Sequence, residues 1–340
     1  MARTKHVTLK DVAAHVGVSY QTVSKVLTGS GEVSEETRQR ILQAVEETGY
    51  RPNAIARSLK TKSTEIIGLI VPNVLSPAWS VMTRGVEDAA AESGFQTMIC
   101  DTDEQWEVEK ESITAFLERR VDGLILASCP KPSEDQLASL LQIGPPVVLL
   151  DRRAAGLRTD TVVSDNWTGA YEATQHLLRA GRERIGMITL SLDISTGRER
   201  LEGYKAALRD SGAAVDEDLT AVGGSLFRDG YSGVFTLWKR GSRPDALLIC
   251  SHGMTIGVLA ALKEIKVKVP RDVAIVGFDD TPWAEFLDPP LTVVAQPLYE
   301  MATTATRLLL ERIQGPERDG EAKEVVLKSR LVVRKSCGVQ

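Results

Sequence analysis

Residues 7–27 read VTLKDVAAHVGVSYQTVSKVL, and this stretch decides how the N-terminal part of the chain folds. Thr8 is followed three positions later by Asp11, a pattern that predicts a capping box at the start of a short helix. Gly17 ends that helix, and Ser19 can cap a second short helix over the rest of the stretch. Two short helices joined by a three-residue turn that contains a glycine predict a helix-turn-helix.

A third helix follows the helix-turn-helix. Ser34 can cap it, and its apolar positions Ile41, Leu42 and Val45 recur at helical spacing over residues 35–48. This helix is expected to close a small apolar core.

Residues 50–64 connect this small unit to the rest of the chain. Pro52 forces the residue before it to be extended, and residues 54–59 are compatible with a helix that is too short to be stable alone. Residues 60–64 are polar and basic, which is typical of a linker.

The charge of the chain is divided unevenly. The 340 residues have a formal net charge of −5, but residues 1–62 hold ten Lys and Arg against six Asp and Glu, or +4, which leaves −9 for the remainder. Such an asymmetry indicates that the small N-terminal unit has nucleic acid or another anionic surface as its partner.

From residue 65 the pattern changes. Short apolar runs rich in β-branched residues alternate with amphipathic helical stretches, which predicts parallel sheets built from βαβ units. Two successive series of strands predict two similar α/β lobes, with a ligand between them at the carboxyl ends of the strands. After residue 291 come one more strand, a helix over residues 296–314 and a β-rich run over residues 325–333. The helix and a strand could return to the first lobe, and the last strand to the second.

Several classes of protein are disfavoured. No apolar run reaches the roughly 18 residues that span a bilayer, and the charged N-terminus does not fit a signal peptide, so the chain is expected to be cytoplasmic with no membrane partner. The four cysteines lie far apart and predict reduced thiols rather than disulfides or a metal site. The nucleotide-binding and hydrolase motifs are absent, so neither a cofactor nor an enzyme is expected.

The quoted stretch, with Val33-Ser34 and residues 49–53 (GYRPN), closely resembles the DNA-binding headpiece of the LacI/GalR family of bacterial transcription repressors. The similarity continues through residues 276–280 (VGFDD) and 288–293 (DPPLTV) and covers essentially the whole chain. The resemblance implies a homodimeric regulator whose headpieces bind a palindromic double-stranded DNA operator. It also implies a core, similar to periplasmic sugar-binding proteins, that holds a small effector such as a sugar or sugar derivative.

The expected architecture is an all-α helix-turn-helix headpiece followed by an α/β core of two doubly wound parallel-sheet lobes. Its expected parts are the headpiece (1–49), a hinge helix and linker (50–64), an N-terminal lobe (65–163 plus about 295–323) and a C-terminal lobe (164–294 plus about 324–340).

The resemblance also nominates residues that contact DNA. Tyr20, Gln21 and Thr22 open the second helix, at the end that meets base edges in the major groove, and Gln can bond bidentately to adenine. Lys25 stands where family members commonly carry Arg. The candidates for backbone contacts are Thr8, Ser19, Ser24, Ser34, Tyr50 and Asn53. Helix capping is the other role open to the hydroxyls.

The segment over residues 53–59 resembles the family's hinge helix, which folds on the operator and inserts a leucine into the minor groove. By position that leucine is Leu59, with Ala56 beside it. The alternative is an ordinary helix packed on the core.

Seven residues are nominated for the effector, most of them at the carboxyl ends of predicted strands: Trp79, Asp151, Arg200, Phe227, Ser251, His252 and Asp279. Carboxylates and a guanidinium suit sugar hydroxyls, and aromatic faces cover the C–H groups of a ring. Several of these residues also have a structural alternative to ligand binding. Asp279 could cap a helix, Arg200 could form a surface ion pair, and the two aromatic residues could lie in the core or at an interface.

One position departs from the family. Ser251-His252 stands where members commonly have Asn-Asp, and a His titrates near neutrality. Either the cavity recognises something other than a simple neutral sugar, or His252 packs at the hinge between the lobes.

Two other functions compete with the regulator: a periplasmic-type small-molecule binding protein without DNA function, and, less favoured, an enzyme. The expected mechanism is allosteric, with the effector changing the angle between the lobes and so the operator affinity. Because no heptad of leucines follows the last strand, a dimer is expected rather than a tetramer.

Overall fold

In a computed structural model, the residues described are 7–28, 31–51, 58, 61, 63–130, 134–141, 144–154, 156–241, 243–315 and 320–339. The chain divides into two compact units at residues 64 and 65. We call the first the headpiece and the second the core.

Within residues 7–51 of the headpiece, the structure describes the helices α1 (Leu9–Val16), α2 (Tyr20–Thr28) and α3 (Glu35–Thr48). The predicted capping box is present, since the Thr8 backbone N–H donates to Asp11 Oδ2 at 2.8 Å and the Thr8 hydroxyl accepts from the Asp11 N–H. Gly17 ends α1 with a φ of 74°, in the left-handed region that glycine adopts without a steric penalty.

One small apolar cluster holds these helices together. Its buried members are Val12, Ala13, Val16, Val23, Val26, Ile41 and Ala44. A polar contact adds to it, because Arg40 Nη2 of α3 donates to the Val16 carbonyl at the end of α1, at 2.9 Å.

The core begins with β1 (Ile66–Val71), α4 (Pro77–Glu92), β2 (Gln96–Asp101), α5 (Trp106–Glu118), β3 (Gly123–Leu126), α6 (Glu134–Leu141), β4 (Val147–Leu150) and β5 (Asp160–Ser164). It continues with α7 (Asn166–Arg179), β6 (Ile185–Thr189), α8 (Ser195–Asp210), β7 (Thr220–Val222), α9 (Phe227–Lys239), β8 (Ala246–Ile249), α10 (His252–Glu264), β9 (Ala274–Phe278) and β10 (Thr292–Ala295). It ends with α11 (Leu298–Gln314), β11 (Glu324–Leu327) and β12 (Arg330–Val332).

Each lobe is built on one six-stranded sheet. The N-terminal lobe has the strand order β11-β5-β4-β3-β1-β2, and the C-terminal lobe has the order β12-β10-β9-β8-β6-β7. All pairings are parallel except that of β10 with β12. The first five strands of the two lobes therefore repeat one topology, as the two series of strands in the sequence predict.

The chain passes between the lobes three times, after β5, after β10 and after β11. The last passage differs from the expected boundary near residue 324. Because β11 pairs in parallel with β5, residues 324–327 belong to the N-terminal lobe, and only β12 joins the other sheet. The expected single β-rich run is thus two strands separated by Lys328 and Ser329.

Close packing of α9 against α10 brings the first residues of these helices together. A Cβ on Gly230 would collide with the carbonyl of Met254, and one on Gly257 with the carbonyl of Phe227. Only glycine permits the two backbones to approach this closely.

No helix in the described ranges is long and apolar enough to cross a bilayer. All four cysteines lie within those ranges, and none forms a disulfide.

Candidate functional site

Helix α2 presents its polar residues to solvent. Tyr20 is 55% exposed, and Gln21 and Lys25 are exposed as well, whereas Val23 and Val26 of the same helix are buried. The side chains that the resemblance nominates to read bases therefore lie on the face of α2 that a DNA groove could reach.

The nominated hydroxyls act as helix caps. Ser19 Oγ accepts from the Thr22 N–H at 3.1 Å, and Ser34 Oγ accepts from the Thr37 N–H at 3.4 Å, as Thr8 does for α1. Two of these hydroxyls also donate their protons within the headpiece, Thr8 to Asp11 Oδ2 at 2.7 Å and Ser34 to Thr37 Oγ1 at 2.8 Å. A contact with a phosphate would therefore require the hydroxyl to turn away from that acceptor.

Of the other residues nominated to contact DNA, some lie within the described ranges and some do not. Ser24 and Tyr50 are half-buried, and burial raises the pKa of the Tyr50 hydroxyl. Asn53, Ala56 and Leu59 lie outside the described residues.

A cavity of about 200 Å³ lies between the two lobes of the core. All seven nominated effector residues line it: Trp79, Asp151, Arg200, Phe227, Ser251, His252 and Asp279. Both lobes contribute, because Trp79 and Asp151 belong to the N-terminal lobe and the others to the C-terminal lobe. Asp151 and Asp279 directly follow strands of parallel sheets, and they reach the cavity because such strands end at the same edge of a sheet.

Three carboxylates of the cavity sit on a left-handed backbone. Glu104, Asp151 and Asp279 have φ values of 59°, 69° and 72°. Such conformations are uncommon for residues other than glycine, and they cluster at binding sites where the surrounding structure holds them. Asp151 and Asp279 occupy corresponding places, immediately after β4 in one lobe and β9 in the other.

Arg200 is the buried cation of the C-terminal lobe, only 3% exposed. Its Nε donates to Asn166 Oδ1 at 2.8 Å, its Nη1 donates to the Cys250 carbonyl at 2.6 Å, and the guanidinium lies 4.1 Å from the centroid of the Phe278 ring. Nη2 has no hydrogen-bond partner among the described residues, which leaves it available to a ligand. The alternative of a surface ion pair is wrong for this residue.

Arg152 is the corresponding cation of the N-terminal lobe. Its two terminal nitrogens donate to Glu104 at 2.8 and 2.7 Å, and its Nε lies 3.8 Å from Asp151 Oδ2. Burial by itself lowers the pKa of Arg152, but the hydrogen bonds and charge of Glu104 outweigh it and raise the pKa. Burial raises the pKa of Asp151, although the charges of Arg152 and Arg200 oppose this.

Sequence reasoning missed several polar residues of the cavity wall, and two of them have unpartnered oxygens. Gln296 donates from Nε2 to Asp279 Oδ1 at 2.6 Å, while its Oε1 is buried without a partner in the structure. The hydroxyl of Thr196 is likewise buried and unpartnered. Gln296 directly follows β10, as Asp279 directly follows β9. Thr196 lies inside α8 and offered no such signal.

The nominated aromatic residues differ in burial. Trp79 belongs to the apolar core of the N-terminal lobe as well as to the cavity wall. Phe227, the first residue of α9, is 48% exposed and stacks on Tyr231 with ring centroids 6.0 Å apart.

His252 is the position at which the chain departs from the family. It lines the cavity, and its ring packs against Trp283 with centroids 5.0 Å apart. Burial lowers the pKa of His252, partly opposed by the charge of Asp279. The imidazole is therefore mainly neutral at pH 7 and can donate or accept a hydrogen bond. The preceding Ser251 caps α10 by accepting from the Met254 N–H at 3.2 Å.

Both the headpiece, with α2, and the core, with its cavity, match known protein families. Residues 8–53 match the model of the bacterial regulatory proteins of the lacI family, and residues 174–337 match that of the periplasmic binding protein-like domain. The ribose operon repressor of Haemophilus influenzae is 33% identical over 97% of this chain and 98% of its own length. The transcriptional repressor CytR of Escherichia coli is 36% identical over 91% of this chain and 90% of its own.

The chain belongs to the lacI family of bacterial regulatory proteins. Members of this family are DNA-binding transcriptional regulators rather than enzymes, and this chain is one of them.

Solved structures resemble this lacI-family regulator over nearly its whole length. A lac repressor dimer bound to operator and the anti-inducer ONPF has a TM-score of 0.86 at 26% identity, covering 98% of this chain and 99% of that one. A complex of the regulator CelR with cellobiose has a TM-score of 0.74 at 33% identity, covering 97% and 99%. The architecture of a headpiece and two parallel-sheet α/β lobes is thus that of the family.

Proposed function

We propose that this regulator is a repressor that binds a palindromic operator as a homodimer, and that a neutral sugar or sugar derivative in the cavity between the lobes controls its operator affinity. The observation that carries the proposal is the set of unsatisfied and charged polar groups around the cavity, in a chain whose residues 8–53 match a DNA-binding family.

The DNA part of the proposal assigns base reading to Tyr20, Gln21, Thr22 and Lys25. These residues begin a helix whose other side is buried, which is how a recognition helix enters a major groove. Phosphate contacts are assigned to Thr8, Ser19 and Ser34, which stand at the capped N-termini of α1, α2 and α3, because helix N-termini attract phosphates. Ser24, Tyr50 and Asn53 are assigned further backbone contacts, and Ala56 and Leu59 the minor groove.

The chemistry of the cavity favours a ligand rich in hydroxyl groups. Gln296 Oε1 can only accept a hydrogen bond, Arg200 Nη2 can only donate one, and Thr196 Oγ1 can do both. A sugar hydroxyl both donates and accepts, so one class of ligand satisfies all three. Trp79 and Phe227 supply apolar surface for the C–H face of a sugar ring.

Charge favours a neutral ligand. The cavity holds the carboxyl groups of Glu104, Asp151 and Asp279 against the two guanidinium groups of Arg152 and Arg200, and Glu104 already neutralises Arg152. An anionic ligand would meet the remaining carboxylates in a poorly solvated site. His252, mainly neutral, supplies a hydrogen bond rather than a positive charge.

Control of DNA binding requires that the ligand bind two states of the core unequally. Asp151 and Asp279 belong to different lobes, so a ligand that contacts both binds best at one angle between the lobes. A change in that angle is proposed to alter operator affinity through the dimer. Because the regulator acts on DNA, a cytoplasmic location follows from the same proposal.

The test combines operator selection with a ligand screen. Full-length protein should select a palindrome from a random DNA library, and its affinity for that DNA should fall steeply with salt because phosphate contacts release counterions. Neutral sugars screened by thermal shift should stabilise the protein. Removal of residues 1–62 should abolish DNA binding and preserve the ligand shift. Affinity that is independent of salt would refute the operator part, and stabilisation by anionic compounds alone would refute the neutral effector.

A further inference from the structure

Polar contacts join the two lobes at Arg153, which follows β4 in the N-terminal lobe. Its Nη1 donates to Glu199 Oε1 of α8 at 2.5 Å, and its backbone N–H donates to Ser195 Oγ at the start of the same helix, at 2.8 Å. Both contacts reach from one lobe to the other, so both depend on the angle between the lobes. Glu324 of the N-terminal lobe holds the other side of the Arg153 guanidinium at 2.8 Å.

A second pair of contacts leads from Glu199 to the cavity. Asn166 Nδ2 donates to Glu199 Oε2 at 3.2 Å, and Asn166 Oδ1 accepts from Arg200 Nε at 2.8 Å. The orientation of the Asn166 amide is unambiguous, since a carboxylate only accepts and a guanidinium only donates. Asn166 thus relays between a residue that faces the cavity and a residue that faces the other lobe.

The environment strengthens these contacts. Asn166 is 1% exposed and is the first residue of α7, directly after the first passage between the lobes. The Arg153 and Glu199 side chains are partly exposed, at 33% and 25%. Hydrogen bonds of an amide as deeply buried as that of Asn166 polarise one another, and a displaced partner leaves the amide unpaired. A displacement of the Arg200 side chain therefore changes the hydrogen bonds that Glu199 accepts from Asn166 and Arg153.

We propose that Asn166 and Glu199 are positioning residues that couple Arg200, in the effector cavity, to the ion pair of Arg153 between the lobes. A ligand that accepts a hydrogen bond from Arg200 changes the hydrogen bond between Arg200 and the Asn166 amide. The hydrogen bond from Asn166 to Glu199 changes with it, and so does the strength of the ion pair between Glu199 and Arg153. By linkage, the ion pair changes ligand affinity by the same factor as the ligand changes the ion pair. This inference rests on the proposed function, because it explains how an occupied cavity would change the lobe angle.

The experiment follows the side-chain Nε–Hε signal of Arg200 by NMR in full-length protein labelled with ¹⁵N-arginine. The signal is assigned by its loss in Arg200→Lys or by its proximity to the Phe278 ring. Arg153→Met removes the ion pair between the lobes, and Glu199→Gln keeps an acceptor for Asn166 but removes the charge. Both variants should shift the Arg200 signal. Because Glu199 directly precedes Arg200 in the chain, the decisive variant is Arg153→Met, at a residue that has no hydrogen bond to Arg200 in the described structure.

The matched control is Arg312→Met. Arg312 is also a largely buried arginine in an ion pair, 2.8 Å from Asp160, but both partners belong to the N-terminal lobe. The control should leave the Arg200 signal in place. An Arg200 signal that is unmoved by Arg153→Met and Glu199→Gln, or that moves equally in Arg312→Met, would overturn the coupling.

A second measurement tests the route and does not depend on NMR assignment. Arg153→Met and Arg200→Lys should change the urea midpoint non-additively, and the non-additivity should vanish when Asn166→Leu is added. Additive effects, or non-additivity that survives Asn166→Leu, would remove Asn166 from the mechanism. Neither measurement uses DNA or an effector, so a negative result here is distinct from failure of the proposed function.

Discussion

The headpiece and the core use opposite arrangements of polar side chains. On the headpiece the proposed DNA-reading residues Tyr20, Gln21 and Lys25 are exposed and Thr22 is half-buried, and residues 1–62 carry +4. In the core the proposed effector contacts, such as Arg200 and Asp279, are buried in a region that carries −9. A large polyanion can be reached only from an exposed face, whereas a small neutral molecule gains most from groups already removed from water. Substitutions in the headpiece are therefore expected to weaken operator binding, and substitutions in the cavity to weaken effector binding.

The largest expected effect is on the small headpiece. Ile41 is fully buried in its apolar cluster, and Ile41→Ala should cost about 2–5 kcal/mol, a large part of the stability that so small a unit can have. Calorimetry should show the headpiece transition lowered or lost and the core transition unchanged, together with loss of operator binding.

Leu42→Ala is the control for this prediction, because Leu42 lies on the same helix and is 48% exposed. A core transition that moves with Ile41→Ala would break the separation between the two regions.

The next effect concerns the cavity. Asp279→Asn keeps the shape of the side chain but removes its charge, and hydrogen bonds to charged groups contribute about 1.5–3 kcal/mol, or roughly 10- to 100-fold in affinity. Titration calorimetry with a sugar that stabilises the wild type should show this loss, while operator affinity without sugar is retained.

Asp272→Asn makes the same chemical change at an exposed residue that pairs with Arg271, and should leave sugar affinity unaltered. Equal losses in both variants would mean that the effect does not belong to the cavity.

A similar or smaller effect is expected at one exposed residue of the headpiece. Gln21→Ala should weaken the selected operator by about 1–3 kcal/mol and relax the preference at one base pair, since a bidentate contact to a base is lost. Binding to a panel of single-base operator variants measures both.

Gln39→Ala, at an exposed position of α3, serves as the comparison and should bind as the wild type does. An unchanged base preference in Gln21→Ala would contradict the assignment of α2 as the reading helix.

The smallest effect is a pH dependence of core stability. Because burial lowers the pKa of His252, the unfolded state binds its proton more tightly, and stability is lost as pH falls from the ordinary value near 6.5 through the folded pKa. His252→Asn should therefore flatten the decline in melting temperature between about pH 7.5 and about pH 5.5. Part of the decline should remain, since burial also lowers the pKa of His176. A decline as steep as that of the wild type would contradict the prediction.

Local signals account for most of the elements. The caps Thr8, Ser19 and Ser34 and the stop at Gly17 depend on residues within one helical turn, and the helix over 35–48 occurs as predicted. Non-local pairing accounts for the difference near residue 324. Whether residues 324–327 join one sheet or the other depends on β5, far away in the chain, and their own composition suits either.

The sequence by itself determined the helix-turn-helix and the two series of strands, because caps and periodicity depend on residues that are close in the chain. Its resemblance to the LacI/GalR family nominated seven residues that line the cavity. Only the tertiary structure decided what those residues touch. These contacts join groups that are distant in sequence and meet only when both lobes fold. They include the pairing of Arg152 with Glu104 and the path from Arg200 through Asn166 to Arg153. The burial that leaves an oxygen of Gln296 and of Thr196 unpartnered arises in the same way. A carboxylate or an amide shows its chemistry in the sequence, but its partner and its burial are properties of the packed core.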